Sequence, residues 1–220
     1  MKRPDFEVRF ELEGWEILFA ALERKTAESS ALAGLRASVA QKVRAELELE
    51  SLAQQPAIAG LRRLFKQAGT DPARYRPSSE ALVRRLLKGA ELPAIHPLVD
   101  LNNCLSARLL VPCCVMAEGS FSPPFVFRAG RAGESYESLR GPFRLEGKPL
   151  LLDSQGPCDA PITGSERVKV IQATSRATLV AYLPRGVVAP ESALNELEAL
   201  LRAAPLATLL DAAAANLSAG

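Results

Sequence analysis

Phe6-Glu-Val-Arg-Phe-Glu-Leu12 alternates apolar and charged residues without a fault, the pattern of a strand with one buried face. Gly14 then turns the chain into an apolar run, and a helix is expected over residues 15–22. Leu32, Leu35, Val39, Val43 and Leu47 recur at helical spacing, and Pro56 interrupts that pattern. Ile58, Leu61, Leu64, Phe65 and Ala68 predict the next amphipathic helix, with Gly69 placed as its C-terminal cap. A turn-rich connection over residues 70–79 leads to a helix over 79–88, with Leu82, Val83, Leu86 and Leu87 inward and Gly89 as its stop.

The most informative stretch is Pro93-Ala-Ile-His-Pro-Leu-Val-Asp-Leu-Asn-Asn-Cys-Leu-Ser106. It sets the only histidine, His96, between two prolines and predicts a helix from Leu98 that stops before Pro112. Val99, Asn103, Ser106 and Leu110 share one stripe, Asn102 lies beside Ser106, and Leu98, Leu101, Leu105 and Leu109 cover another side. A short helix apolar on most sides is buried. Its two asparagines and serine must therefore find hydrogen-bond partners or face a wet cavity. Both readings stay open: a polar strip on a pocket, or amides that tie down neighbouring backbone.

Beyond Pro112 the period shortens. Strand-like runs are expected at 113–117, 125–128, 149–152, 167–171 and 178–183, separated by Gly, Pro and Ser. Pro190 opens a helix with Leu194, Leu197, Leu200 and Leu201 inward. A last Ala/Leu-rich helix is expected over 205–217, whose small residues suit close packing on a neighbour or a second subunit. Helices and short strands are therefore expected together in one chain.

Composition narrows the function classes. Of 220 residues 48% are hydrophobic and 24% charged, ample for a core. No apolar run approaches the ~18 residues of a membrane span, and residues 1–10 lack the apolar region of a secretory signal; a cytoplasmic location is expected. Cys104, Cys113, Cys114 and Cys158 show no C-x-x-C spacing, and one histidine makes a zinc site hard to assemble. All four are read as small buried apolar groups, and neither metal nor cofactor is expected. A net charge of +2 does not by itself argue for nucleic acid. Arg74, Arg76, Arg84, Arg85 and Lys88, with Tyr75 among them, form the most basic region and are the candidate RNA contacts. Arg62, Arg63 and Lys66 allow either a phosphate-facing patch or a solvated helix face.

The collinear order of Tyr75-Arg-Pro-Ser-Ser-Glu-Ala-Leu82, Arg84-Arg-Leu-Leu-Lys-Gly89, Leu92-Pro93, Pro97-Leu-Val-Asp-Leu-Asn-Asn103, Leu152-Asp-Ser-Gln-Gly-Pro157, Ser165-Glu-Arg167 and Thr174 resembles the B3/B4 domain. In that family the domain is the tRNA-editing module of the bacterial phenylalanyl-tRNA synthetase β chain, and it also occurs free-standing. The resemblance spans residues 58–184. It implies a mixed α/β fold of the α+β kind, a largely antiparallel sheet packed with helices and carrying helical N- and C-terminal flanks. The main domain would lie at 58–184, with an N-terminal strand and helices at 1–57 packed on it and C-terminal helices at 185–220. The resemblance also implies a pocket for the aminoacylated 3′ end of a tRNA, and hydrolysis of the ester of a wrong amino acid. Carried over by position, Asn102, Asn103, Thr163, Gly164, Ser165, Glu166, Arg167 and Thr174 would sit at that pocket. The chain departs from the family where an acidic residue is expected within 178–182, and its turn carries Thr163-Gly164 in place of Gly-Gly.

The residues can be weighed by their own chemistry. An aminoacyl ester is already activated, so hydrolysis needs a positioned water and donors aimed at the developing oxyanion. Asn103, Ser106 and His96 are the catalytic candidates. His96 suits a general base near neutral pH, and equally a structural site beside its two prolines. Asp153 fits an Asx-type turn bond or the substrate site. Glu166 and Arg167 suit a substrate ammonium and a phosphate or carboxylate, or else a surface ion pair. Three functions remain open: a trans-acting aminoacyl-tRNA deacylase, a non-catalytic module recognising an amino acid, nucleotide or tRNA 3′ end, and an interaction protein docking through its C-terminal helices.

Overall fold

The computed structural model describes residues 1–26 and 29–216. In chain order come β1 (Val8–Phe10), β2 (Trp15–Arg24), α1 (Ser29–Glu46), α2 (Pro56–Ala68), α3 (Ser78–Leu87), α4 (Pro97–Leu109), β3 (Cys113–Ala117), β4 (Phe125–Ala129), β5 (Ser135–Ser138) and β6 (Gly141–Arg144). Then follow β7 (Pro149–Asp153), β8 (Gly156–Asp159), β9 (Arg176–Pro184), α5 (Pro190–Ala203) and β10 (Ala207–Asn216). One four-stranded sheet has the order β1-β4-β7-β8, a second β10-β2-β9-β3, and β5-β6 is a separate hairpin. All these pairings are antiparallel except β1 with β4. The architecture is α+β, as the resemblance implies.

Aromatic side chains fill the core. Trp15 and Tyr182 both meet the Phe127 ring, while Phe19 stacks on Phe125. The helix α4 is held at both ends. Its N-cap is His96, whose Nδ1 accepts from the Leu98 N–H at 3.2 Å, with Pro97 in the first turn. At the other end Leu110 takes a left-handed conformation (φ 59°), and the Ser106 hydroxyl donates to the Val111 carbonyl at 2.8 Å. Leu98, Leu101 and Leu105 are fully buried, and Asp100 anchors the helix to α1 through Arg36 at 2.6 Å.

Three expected elements are corrected. Residues 15–22 lie in a strand, because β2 sits between β10 and β9 and is buried on both faces, which erases the period-2 signal. The expected last helix is also a strand, β10: alanine favours helices, but registry along β2 overrides that propensity. Leu217, at the end of that expectation, lies outside the described residues. The docking surface imagined on paired C-terminal helices therefore has only α5 behind it. The run 167–171 is no strand either. Ser165 caps a single 3-10 turn, Glu166–Val168, that buries Val168. No helix among the described residues is long and apolar enough to cross a membrane.

Candidate functional site

A cleft of about 680 Å³ opens between α4, β3 and one side of α3 on one flank and the 159–164 segment with the β5–β6 hairpin on the other. Its size falls in the range of small-molecule sites. The segment is fixed from two directions. The Pro161 carbonyl accepts from the Ser78 N–H at 2.9 Å. The Thr163 carbonyl accepts from Tyr136 Oη at 2.6 Å, and the Gly164 carbonyl from the Leu139 N–H at 3.1 Å. Exposed Arg85, Ile95, Leu139, Arg140 and Lys169 form the rim, whereas Asn102, Ser106 and Asp159 belong to the buried floor.

The floor is electrostatically unusual. Asp159 is fully buried, and its Oδ2 accepts from Tyr182 Oη at 2.6 Å. Among the described residues neither its Oδ1 nor the Asn102 Oδ1 has a hydrogen-bond partner, and both atoms are buried; the Asn102 Nδ2 donates to the Cys113 carbonyl at 3.3 Å. Burial pushes the Asp159 carboxyl up to about 7, against the Tyr182 hydroxyl bond and against the Cys114 thiol and Ala160 N–H, which lie near the carboxyl without completing a hydrogen bond and favour its charged form. Cys113 and Cys114 are half-buried in the cleft wall rather than in the core, and burial raises both thiols far above their ordinary range. At neutral pH they are protonated and weakly nucleophilic. Half-buried Asn103 also lines the cleft, and among the described residues its amide has no protein partner.

The sequence matches the model of the B3/4 domain over residues 60–196. The chain belongs to the B3/4 domain family. Among solved structures, it is similar to an N-terminal fragment of the phenylalanyl-tRNA synthetase beta-subunit from Pyrococcus horikoshii, at 14% identity and a TM-score of 0.46. That likeness covers 97% of this chain and 51% of the other, so the chain spans about half that fragment's length. No curated protein sequence matches.

In this B3/4 domain the residues singled out by sequence separate into groups. Asn102, Asn103, Ser106, Thr163, Gly164 and Glu166 line the cleft. Ser106 donates its hydroxyl to the Val111 carbonyl, a backbone-tying bond at the end of α4. His96 is withdrawn as a catalytic base because it lies outside the cleft lining. Its Nδ1 caps α4, which leaves the proton on Nε2, directed to the Thr174 carbonyl. Arg24 Nη1 at 3.1 Å then meets a ring nitrogen with no lone pair to offer. Burial first and Arg24 second lower the His96 pKa and keep the ring neutral.

Asp153 and Arg167 bind each other. Arg167 reaches both carboxylate oxygens at 2.9 and 3.0 Å, and Asp153 also accepts from the Ser122 and Gln155 N–H groups. The last of these is the Asx-type bond expected from sequence. Burial raises the Asp153 pKa, but Arg167 and the two N–H donors outweigh it and hold the group below its ordinary value. Glu166 is paired with Lys169. Thr174 accepts from the Ile171 N–H and, with Arg167, borders a shallow hollow on the surface instead of the cleft. Ser165 caps its 3-10 turn.

The basic region is largely internal bookkeeping of charge. Fully buried Glu80 is held by Arg62 at 2.9 Å and Arg84 at 3.1 Å, with Arg76 at 3.9 Å. The Tyr75 ring is covered by Lys148 Nζ, 4.2 Å from its centroid, and by Arg74 at 5.2 Å, so its face is not open to a base. Arg85 and Lys88 remain exposed without an ion pair among the described residues. Sequence reasoning missed Arg140, which the hairpin brings to the rim of the same cleft as Arg85, and Asp159. The signal for Asp159 was available: it is the only charged residue between Gly156 and Ser165. Among the described residues no group of three or more His, Cys, Asp and Glu side chains is arranged to hold a metal ion.

Proposed function

We propose that this B3/4 domain hydrolyses aminoacyl-tRNA in trans, with the aminoacyl group in the cleft and the terminal adenosine at its rim. The observation that carries the reading is the cleft's polarity, basic and exposed outside, acidic and buried inside. Arg85 and Arg140 suit the phosphates of an RNA 3′ end, and the interior suits an amino acid. The family resemblance to a tRNA-editing module points the same way. In the reaction, water oxygen bonds to the acyl carbon, the acyl–ribose oxygen bond breaks, and the ribose oxygen takes the proton. Asn103 and the Thr163 hydroxyl supply hydrogen bonds to the water or the developing oxyanion, since His96 caps α4 outside the cleft lining and the Ser106 hydroxyl is bonded to the Val111 carbonyl.

A binding module without turnover is the second reading, favoured by the engagement of both those side chains. A panel of mischarged tRNAs decides between the two. Hydrolysis of at least one, reduced about 10²-fold in kcat by Asn103→Ala as for the loss of an oxyanion donor, supports the enzyme. Saturable binding without hydrolysis leaves the module, and neither binding nor hydrolysis overturns both.

A further inference from the structure

Four carboxylates are buried among the described residues: Glu80, Asp100, Asp153 and Asp159. Three have an arginine at hydrogen-bonding distance, namely Arg62 with Arg84, Arg36, and Arg167. Asp159 has none. The titratable groups that face it are Tyr182 from β9, Cys113 and Cys114 from β3, Cys158 from β8 and Tyr136 from β5. None of these groups can carry a positive charge. A buried acid without a counter-ion is costly, and this one borders the cleft with one oxygen that is buried and completes no hydrogen bond. Asn102, which lines the same cleft, carries a second unpartnered acceptor in its likewise buried Oδ1.

We propose that Asp159, with Asn102, receives a cationic group, so that the aminoacyl group taken by this cleft ends in a basic side chain. This rests on the reading of the cleft as an aminoacyl site. Two acceptors need at least two hydrogens, which an ammonium or guanidinium supplies and a single hydroxyl does not. Orientation follows from charge. The exposed arginines keep the anionic RNA outside, and the ester must stay with the ribose near the rim. The α-ammonium, one carbon from the ester carbonyl, stays there too, so the part reaching the floor is the far end of the side chain.

The test compares lysine amide with 2-aminoheptanamide, in which a methyl replaces the side-chain ammonium. Binding to the isotope-labelled full chain is followed by chemical-shift titration at pH 6 and pH 8. Lysine amide should bind about tenfold tighter at pH 8, an ordinary yield for one well-placed charge pair. The preference should shrink at pH 6, where Asp159 takes up its proton. In Asp159→Asn the ratio should fall towards one while the spectrum outside the cleft stays that of the folded chain. Equal binding by the unaltered protein at pH 8, binding of neither amide, or a preference that survives in Asp159→Asn overturns the proposal. The wild-type comparison stands even if the variant does not fold. A lysine preference without hydrolysis of any mischarged tRNA would remove only the deacylase reading; hydrolysis with no lysine preference would remove only this inference.

Discussion

Glu80 and Asp159 are both fully buried acids, and their surroundings give opposite consequences. Glu80 is bound by Arg62 and Arg84. Glu80→Ala leaves two guanidinium groups without their partner, and breaking such a pair should destabilise the fold by about 3–5 kcal/mol in denaturant unfolding. Asp159 has a folded-state pKa of about 7, above its unfolded value of 3.8. The folded state therefore binds more protons between those values, and the stability tied to this group is full below the lower one. It is lost as pH rises through 7. Asp159→Asn removes that loss, so its Tm relative to the unaltered protein should be higher at pH 8 than at pH 5. The free-energy difference between those pH values should be up to about 2.7 kcal/mol, because only the roughly two units from pH 5 to the folded-state value of about 7 contribute. A pH-independent difference would mean that the carboxyl is not proton-linked to folding. Arg167, expected from sequence to touch ligand, belongs with Glu80 in kind: its partner is Asp153, and its loss bears first on the turn.

At the scale of elements, α4 shows how a cap can resemble a catalytic residue. His96 between two prolines fits a base or a structural site equally well on paper; the Leu98 N–H and the Thr174 carbonyl decide for the second. His96→Ala should cost about 0.5–2 kcal/mol of stability, and His96→Asn, which keeps a capping acceptor, much less. Neither change should alter the pH profile of any hydrolysis, whereas loss of a true base would. The link between β4 and the β5–β6 hairpin carries a tighter constraint. A Cβ on Gly130 would stand 1.9 Å from the Leu145 carbonyl oxygen, a contact no side-chain adjustment relieves. Gly130→Ala should displace the strand entering the hairpin and destabilise the domain by about 1–3 kcal/mol or more. Because that hairpin carries Leu139 and Arg140 to the rim, ligand affinity should fall with it.

For the whole molecule, the balance of charges predicts how it meets RNA. With Arg76 and Arg84 turned to Glu80, the rim offers Arg85 and Arg140, with Lys88 on the same helix end as Arg85. Contact with about 2 or 3 phosphates of a single-stranded end gives log K against log salt a slope of roughly −1.4 to −2.1. A short aminoacylated acceptor mimic should then bind nearly as well as whole tRNA, and Arg85→Glu with Arg140→Glu should weaken both. A steep slope with a mimic that fails to bind would reveal a second RNA surface. The sequence alone determined that helices and strands share the chain, the helices with a clear apolar stripe such as α2 and α4, and a polar strip of Asn102, Asn103 and Ser106 in one of them, because each follows from local spacing and burial. Only the tertiary structure decided that β2 and β10 are strands, since a doubly buried run and an alanine run carry no period of their own. Which charges are free was likewise invisible to spacing. Glu80 binds Arg62 from another helix, Asp153 and Arg167 lie 14 residues apart, and Tyr182 meets Asp159 from another sheet. A charged residue's availability depends on partners distant in the chain, and those partners exist only once the layers have packed.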